Sequence, residues 1–417
     1  MSTLLLFPPE KDIRASLQLG GSKSISNRLL ILRHVLQLDF PITNLSDSED
    51  TRLLVQVLDE LKHGRNSDFN VNHAGTDLRF LTAFLATQAG NTYTITGSKR
   101  LKERPIAELV DALKQLGAEI HYLEKEGHPP LRIKGKTLQG GKIQLKANIS
   151  SQFISALLLI SPLLPKGLEL VLQGEHVSKP YINLSLELLK TFGIQCEDGG
   201  SSIRVMPFQI PKLRPQPFFV ESDWSSASYW FSVCALSNMS QIRLKSFEHK
   251  SQQADAQLLE IYRALGVKSV FNRDELTLTP IPASIQEFSM DFISCPDIAP
   301  TIACTCLGLG IKARLTGLKT LQLKESRRID VLKTELEKFG ARVHTGDDHL
   351  ELIPSQKKSE NRICVSTHHD HRMAMSFAPL SIVYPGLQIE GPDVVNKSYP
   401  RFWEDLQSLG FRLNLQS

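Results

Sequence analysis

Asp111-Ala112-Leu113-Lys114-Gln115-Leu116-Gly117-Ala118-Glu119-Ile120 sets the pattern from which the architecture follows. A helix closes on Leu116, Gly117 suits the left-handed position just after it, and a strand follows. The same order returns at Leu186 to Phe192-Gly193 before Ile194, and at Leu258 to Leu265-Gly266 before Val267. It returns again at Val331 to Phe339-Gly340 before Ala341-Arg342-Val343, and at Phe402 to Leu409-Gly410 before Phe411-Arg412-Leu413. A weaker first copy runs from Val55 to Leu61-Lys62-His63-Gly64. From Gly117 onward the glycines fall roughly every 70 to 76 residues, whereas the first gap is about 53. Leu-Gly ends helices in many proteins; the regular spacing is what makes this a repeat. Each interval is too long for a solenoid and too short for a domain. Six copies of an α/β unit are therefore expected, grouped three and three into two similar domains. Proline-rich Ile210-Pro211-Lys212-Leu213-Arg214-Pro215-Gln216-Pro217 reads as a surface loop near a boundary.

The chain has 417 residues, 41% hydrophobic and 22% charged, which suits two or three domains with real cores. A net charge of +4 does not argue for a nucleic-acid binder but fits a protein that gathers small anions at one site. The longest apolar stretch, Phe153 to Leu164, is too short to span a bilayer. Met1 to Pro9 lacks a basic n-region, so no signal peptide is expected. Cys196, Cys234, Cys295, Cys304, Cys306 and Cys364 show no framework spacing and read as reduced core thiols in the cytoplasm.

Several segments carry more polar residues than packing needs. In Leu19-Gly20-Gly21-Ser22-Lys23-Ser24-Ile25-Ser26-Asn27-Arg28, glycines, hydroxyls and two cations lie between a strand pattern and a helix pattern. That composition suits a phosphate-binding corner, and it equally suits a serine-capped glycine turn. Ser22 and Leu17 stand where a P-loop needs glycine. Ala74-Gly75-Thr76 lies before an apolar helix and reads as an anion site or an ordinary N-cap. Arg104, ahead of Pro105, reads as a carboxylate or phosphate clamp or as part of a solvated charge run. Ser150-Ser151-Gln152 offers one more hydroxyl than capping requires, and Ser178-Lys179-Pro180-Tyr181 repeats the hydroxyl-plus-cation theme. Asp297 reads as an N-cap or a base. Lys324 and Arg328 share a face if Lys324-Glu325-Ser326-Arg327-Arg328 is helical. His368-His369-Asp370-His371-Arg372 is the densest titratable cluster, but Ser366 breaks the binuclear zinc pattern, so an anion site is favoured over a metal site.

In this order the segments resemble the 5-enolpyruvylshikimate-3-phosphate synthase family. The motifs are GSKSISNR (21–28), AGT (74–76), KERP (102–105), SSQF (150–153), VSKPYI (177–182) and SDWSSASY (222–229). They continue with PDIAPTIA (296–303), KESRR (324–328), DHRMAM (370–375) and NKSYP (396–400). The resemblance implies an α/β fold of two similar domains, each of three βαβαββ-type units, with a cleft between them. It places the shikimate 3-phosphate side in residues 20–220, and the catalytic acids with the basic phosphoenolpyruvate residues in 1–19 plus 221–417. It implies transfer of the enolpyruvyl group of phosphoenolpyruvate to the 5-hydroxyl of shikimate 3-phosphate, in aromatic amino-acid biosynthesis. No metal or organic cofactor, nucleic acid or membrane is implied, and a cytoplasmic monomer is expected.

By the same resemblance Lys23, Ser24, Arg28, Ser150, Ser151, Gln152, Ser178, Tyr181, Asp297 and Lys324 hold shikimate 3-phosphate. Lys23, Gly75, Thr76, Arg104, Gln152, Arg328, Arg372 and Lys397 hold phosphoenolpyruvate. Asp297 is expected to act as base, Glu325 to transfer a proton at the methylene carbon, and Lys324 to stabilise charge and relay a proton; Lys23, touching both ligands, is counted with them as catalytic, and Asp370 and His371 support them. The chain departs from the family pattern at His73, Phe80, Thr320 and Arg327. Alternatives are an enolpyruvyl transferase acting on UDP-N-acetylglucosamine, a zinc hydrolase on residues 368–371, and a non-catalytic binding scaffold of the same fold.

Overall fold

The computed structural model describes residues 2–146, 150–174, 179–208, 216–237, 239–355 and 362–416. The glycine marks close helices in the conformation that the sequence calls for: Gly64, Gly117, Gly193, Gly266, Gly340 and Gly410 have φ between 60° and 97°. At Gly117 the glycine N–H donates to the Lys114 carbonyl (2.9 Å) and the Ala118 N–H to that of Leu113 (3.0 Å). This pair satisfies two end carbonyls of the helix Ala107–Gln115, and a side chain at 117 would be strained. The same pair of bonds recurs at Gly193 and Ile194.

One complete repeat shows the plan. Strand Glu287–Asp291, helix Ala299–Leu309 and strand Lys312–Thr316 form a parallel crossover. Helix Arg328–Glu337 then leads into the hairpin Arg342–Thr345 and Leu350–Ile353. The last strand pairs antiparallel with the second, so the spatial order is first, second, fourth, third. The strands alternate buried and exposed, whereas nine of the eleven helix residues 299–309 are buried. The sheet thus turns one face outward and helix Ala299–Leu309 fills the interior, which is why that helix is apolar on every side, whereas Arg328–Glu337 keeps an exposed polar face. Phe153 to Leu164 is such an interior segment, in helix Ser151–Ile160 and the turn Ser161–Leu163.

Two compact units emerge. The first comprises Met1–Ser22, Asp47–Glu49 and Glu221–Ser417. Its three four-stranded sheets include two completed by N-terminal strands. Thr3–Phe7 lies antiparallel between Leu387–Glu390 and Arg412–Gln416, and Ile13–Gln18 runs parallel to Ser240–Lys245. The second unit is Lys23–Ser46 and Asp50–Val220. It has two four-stranded sheets and one abbreviated copy, where Ile42–Thr43 pairs only with Phe218–Phe219. That copy lacks a hairpin: after Gly64 the chain runs almost directly into strand Asp68–Asn70. The missing hairpin accounts for the short first glycine interval. Most of the proline-rich stretch, 210–215, lies outside the described residues.

Four cysteines, Cys234, Cys295, Cys304 and Cys306, are buried; Cys196 is half-buried and Cys364 exposed, so the core expectation fails for Cys364, on an edge strand. Among the described residues no helix is long and apolar enough to cross a membrane.

Candidate active site

The chemistry-bearing residues form two sets, one within each unit. In the first unit they converge on Arg328, the first residue of helix Arg328–Glu337. Its guanidinium is 2% exposed and serves three carboxylates. Nε donates to Asp370 Oδ2 at 2.7 Å, and Nη2 to Glu325 Oε2 at 2.6 Å and Asp370 Oδ1 at 3.2 Å. Nη1 donates to Asp297 Oδ1 at 3.1 Å. Burial alone would lower the pKa of Arg328, but Asp370, Glu325 and Asp297 together raise it, so the charge is permanent.

Asp297 sits in the single turn Pro296–Ile298, where its side chain makes no cap; it faces cations instead. Lys324 Nζ lies 3.3 Å from Oδ1 and Arg372 Nη2 3.2 Å from Oδ2, while Arg372 Nη1 donates to the Asp297 carbonyl at 3.0 Å. Burial would raise this carboxyl's pKa, yet Arg372, Lys324 and Arg328 hold it well below the usual range. Lys324 and Arg328 do not share a helical face as the i, i+4 spacing suggested. Lys324 is in extended backbone, because the helix begins only at Arg328, and the two cations meet on Asp297. Arg327 pairs with Asp330 at 2.7 Å on the exposed side.

Asp370 caps helix His371–Phe377, accepting the Arg372 N–H at 3.0 Å and the Ser326 hydroxyl at 3.0 Å. The chain reaches it through His368 and His369, both at positive φ (49° and 58°). His368 Nε2 lies 3.1 Å from Glu335 Oε1, and His371 is buried with Nδ1 3.9 Å from Asp370 Oδ1. Among the described residues no group of three or more His, Cys, Asp or Glu is placed to hold a metal ion. Lys397 Nζ completes the set, 2.8 Å from Glu325 Oε1. Lys324, Arg328, Arg372 and Lys397 thus surround three carboxylates, and one positive charge stays in excess while the neighbouring Asp255 carboxyl keeps its proton, which suits an anionic ligand.

Sequence reasoning missed Ser225 and Asp255 here. The Ser225 hydroxyl bonds to Asp255 Oδ2 and accepts from Arg372 Nη2 at 3.3 Å. Asp255 is buried, and burial pushes its carboxyl up to about 6, with Arg372 opposing and Asp297 reinforcing the rise. The folded state therefore holds a proton that the unfolded chain releases near pH 4, and stability falls as pH rises between these values. The loss, on the order of 2–3 kcal/mol, persists above pH 6. Asp255→Asn is expected to exceed the wild type in stability by about 2 kcal/mol at pH 8 and to match it near pH 4. Urea midpoints at the two pH values check this; equal midpoints at pH 8 would refute it.

In the second unit, Lys23 opens helix Lys23–Val35 and its Nζ lies 2.9 Å from Asp50 Oδ2, a partner that no motif announced. Arg28, on the same helix, is enclosed. It donates to Ser185 Oγ (2.9 Å), Ser155 Oγ (3.0 Å) and the carbonyls of Ser24 (2.8 Å) and Tyr181 (3.3 Å). Phe80 lies under its guanidinium at 5.3 Å, and burial pulls its pKa down to about 10.

Gly75 begins helix Gly75–Ala86, which has no side-chain cap at Ala74. Thr76 is thus not a cap; its hydroxyl accepts from Gln152 Nε2 at 3.1 Å. Ser150 caps helix Ser151–Ile160, accepting the Gln152 N–H. A Cβ at Gly75 would come within 2.7 Å of Arg79 Nη1 and 2.9 Å of Arg104 Cζ. Both guanidiniums therefore lie against this helix start, and Arg79 donates to the Gly75 carbonyl at 2.8 Å. Arg79 was not singled out by the sequence, where it reads as one more helix residue. His73 Nδ1 contacts Ser98 Oγ at 2.8 Å. Thr320 Oγ1 is buried in the turn Lys319–Leu323. Ser178 lies outside the described residues.

Residues 8–406 match the family model of EPSP synthase (3-phosphoshikimate 1-carboxyvinyltransferase). A 3-phosphoshikimate 1-carboxyvinyltransferase of Bacteroides fragilis is 44% identical over 413 residues, 98% of each chain. One from Tolumonas auensis is 33% identical, over 99% of this chain and all of that one. Among solved structures, EPSP synthase from Acinetobacter baumannii superposes with a TM-score of 0.78 at 21% identity, covering all of both chains. The enolpyruvyl transferase NikO from Streptomyces tendae gives 0.74 at 15% identity, over all of this chain and 99% of that one.

Proposed function

The chain belongs to the EPSP synthase (3-phosphoshikimate 1-carboxyvinyltransferase) family, and from that premise we propose how its side chains divide the work. The enzyme transfers the enolpyruvyl group of phosphoenolpyruvate to shikimate 3-phosphate and releases phosphate, in aromatic amino-acid biosynthesis. Asp297 takes the proton of the attacking 5-hydroxyl, whose oxygen bonds to C2 of phosphoenolpyruvate while Glu325 delivers a proton to C3. The ketal then loses a proton from C3 as the C2–O bond to phosphate breaks. Lys324 and Lys23 offset the charge that develops on oxygen. Asp370 and His371 support Arg328.

One observation carries this assignment: the proposed acid and base share a single buried guanidinium, with Arg372 and Lys397 on their other oxygens. Arg328, Arg372 and Lys397 also suit the carboxylate and phosphate of phosphoenolpyruvate. A bound anion competes for these cations, so the carboxyl pKa values rise toward the range in which protons are exchanged. Gly75, Thr76, Arg104 and Gln152 complete the reading on the phosphoenolpyruvate side. Lys23, Ser24, Ser150, Ser151, Gln152, Ser178, Tyr181, Asp297 and Lys324 hold shikimate 3-phosphate, and Arg28 adds charge from beneath, tied to the Ser24 and Tyr181 carbonyls. On this reading residues 20–220 are the shikimate 3-phosphate domain, and the enzyme acts as a cytoplasmic monomer without cofactor.

The test is phosphate release from both substrates in the presence of a chelator. Release that needs both supports the reading; release from phosphoenolpyruvate alone, or none, rejects it. A finer test uses Gly75→Ala, whose Cβ must displace the Arg79 or Arg104 head. The KM for phosphoenolpyruvate should rise by about 10- to 100-fold, the scale of an ångström-sized misplacement, with little change in KM for shikimate 3-phosphate. An unchanged KM would detach Gly75 from that subsite.

A further inference from the structure

We propose that Asp255 is a positioning residue for the phosphoenolpyruvate side of the site, acting on Arg372 through the Ser225 hydroxyl and setting how far that guanidinium is available to an anion; this rests on the transferase reading above. Asp255 lies on the turn Ala254–Gln257 and is 4% exposed. Arg372 Nη2 is shared between Asp297 Oδ2 (3.2 Å) and Ser225 Oγ (3.3 Å), and the Ser225 hydroxyl passes on to Asp255 Oδ2. The second oxygen, Oδ1, is buried with no hydrogen-bond partner among the described residues. A bond that merely fixed the serine would be served by a neutral amide at lower cost, because a half-satisfied buried carboxylate is destabilising. What the carboxyl adds is a charge that depends on its proton.

The groups facing it come from three neighbouring segments. Arg372 belongs to helix His371–Phe377, Asp297 to the turn Pro296–Ile298, and Asp223 caps helix Trp224–Leu236. Cys295 precedes Asp297; burial and Asp255 push its thiol up to about 12, so it stays neutral. The turn 254–257 itself carries no other ionisable side chain. Burial sets the Asp255 carboxyl near 6, inside the working range. Ionised, it adds negative charge and orients the relay from Arg372 through Ser225 toward itself, drawing the guanidinium away from a ligand. Protonated, it donates to Ser225 and leaves Arg372 to the anion. Phosphoenolpyruvate should therefore bind more tightly below pH 6 than above it.

The experiment compares wild type with Asp255→Asn from pH 5 to 8.5, varying phosphoenolpyruvate at saturating shikimate 3-phosphate and reading released phosphate. The substrate's own titration is common to both enzymes and cancels in the ratio. The expected KM ratio, wild type over variant, is about one at pH 5 and rises to about fivefold at pH 8, half-complete near 6, with a constant kcat ratio. A flat KM ratio, or an effect confined to kcat, overturns the inference. Ser225→Ala keeps the carboxyl but removes the relay, so the rise in KM between pH 5 and 8 should largely disappear; a rise retained in full overturns the route through Ser225. If Asp255→Asn does not fold, the comparison of wild type with Ser225→Ala carries the test. A wild type that releases no phosphate refutes the transferase reading and this inference together, whereas a flat ratio on an active wild type refutes this inference alone.

Discussion

Glu325→Gln should lower kcat by about 10²- to 10⁴-fold while changing either KM by less than about tenfold, because a positioned proton donor contributes on that scale. The carboxylate is held at both oxygens, with Arg328 Nη2 2.6 Å from Oε2 and Lys397 Nζ 2.8 Å from Oε1. Glutamine keeps the shape but cannot carry the proton. It also presents an N–H to one of the two cations, so a small rise in KM for phosphoenolpyruvate accompanies the fall in kcat. Steady-state phosphate release decides the matter. An effect mainly on KM would make Glu325 a tether for Lys397 and leave proton transfer at the methylene carbon to another group.

Removing the hub should be more destructive still. Arg328→Met leaves Asp297, Glu325 and Asp370 without their common donor inside the protein. Breaking a buried ion pair by deleting one partner costs about 3–5 kcal/mol, and a typical fold has only about 5–15 kcal/mol of net stability. The variant should lose at least about 3 kcal/mol in urea unfolding at pH 7, together with measurable transfer activity. Arg328→Lys should fare little better, since one ammonium cannot span three carboxylates. The pH dependence has a definite sign. Asp297 has a lowered pKa in the fold, so its pairing contributes fully above its unfolded value near 4 and is lost as pH falls toward the folded value. The deficit of Arg328→Met should thus be greatest at neutral pH and shrink below about pH 4. A stability loss under about 1 kcal/mol at pH 7 would mean that the three carboxylates are hydrated or neutral rather than held by Arg328.

The repeat was legible because its signal is local. Gly117 bonds to Lys114, and Ala118 to Leu113, within one turn of chain. The shortened first interval likewise marked the copy that lacks its hairpin. Charged and hydroxyl-bearing motifs were legible as chemistry because no core needs Lys23, Arg104, Glu325 or Arg372. Their local reading misled once, at 324–328, where charge spacing suggested a helical face but Lys324 is extended, the chain then bends, and the helix begins only at Arg328. Asp50, Arg79 and Asp255 gave no signal, because a single charged residue within a helix or turn looks like any solvated one.

Chain order alone carries the six α/β copies, their left-handed glycine closures and the charged residues from which the candidate site is drawn. Packing sets which acid each cation holds, makes Arg328 rather than Lys324 the buried centre, and lets strand Thr3–Phe7 complete a sheet with Leu387–Glu390 and Arg412–Gln416. Separation along the chain makes the difference. Capping joins residues two to five apart, whereas Arg328 meets Asp297 across 31 residues, Asp370 across 42, and Arg372 meets Asp297 across 75. Those meetings depend on how interior helices pack, and a linear pattern of residues does not carry that information.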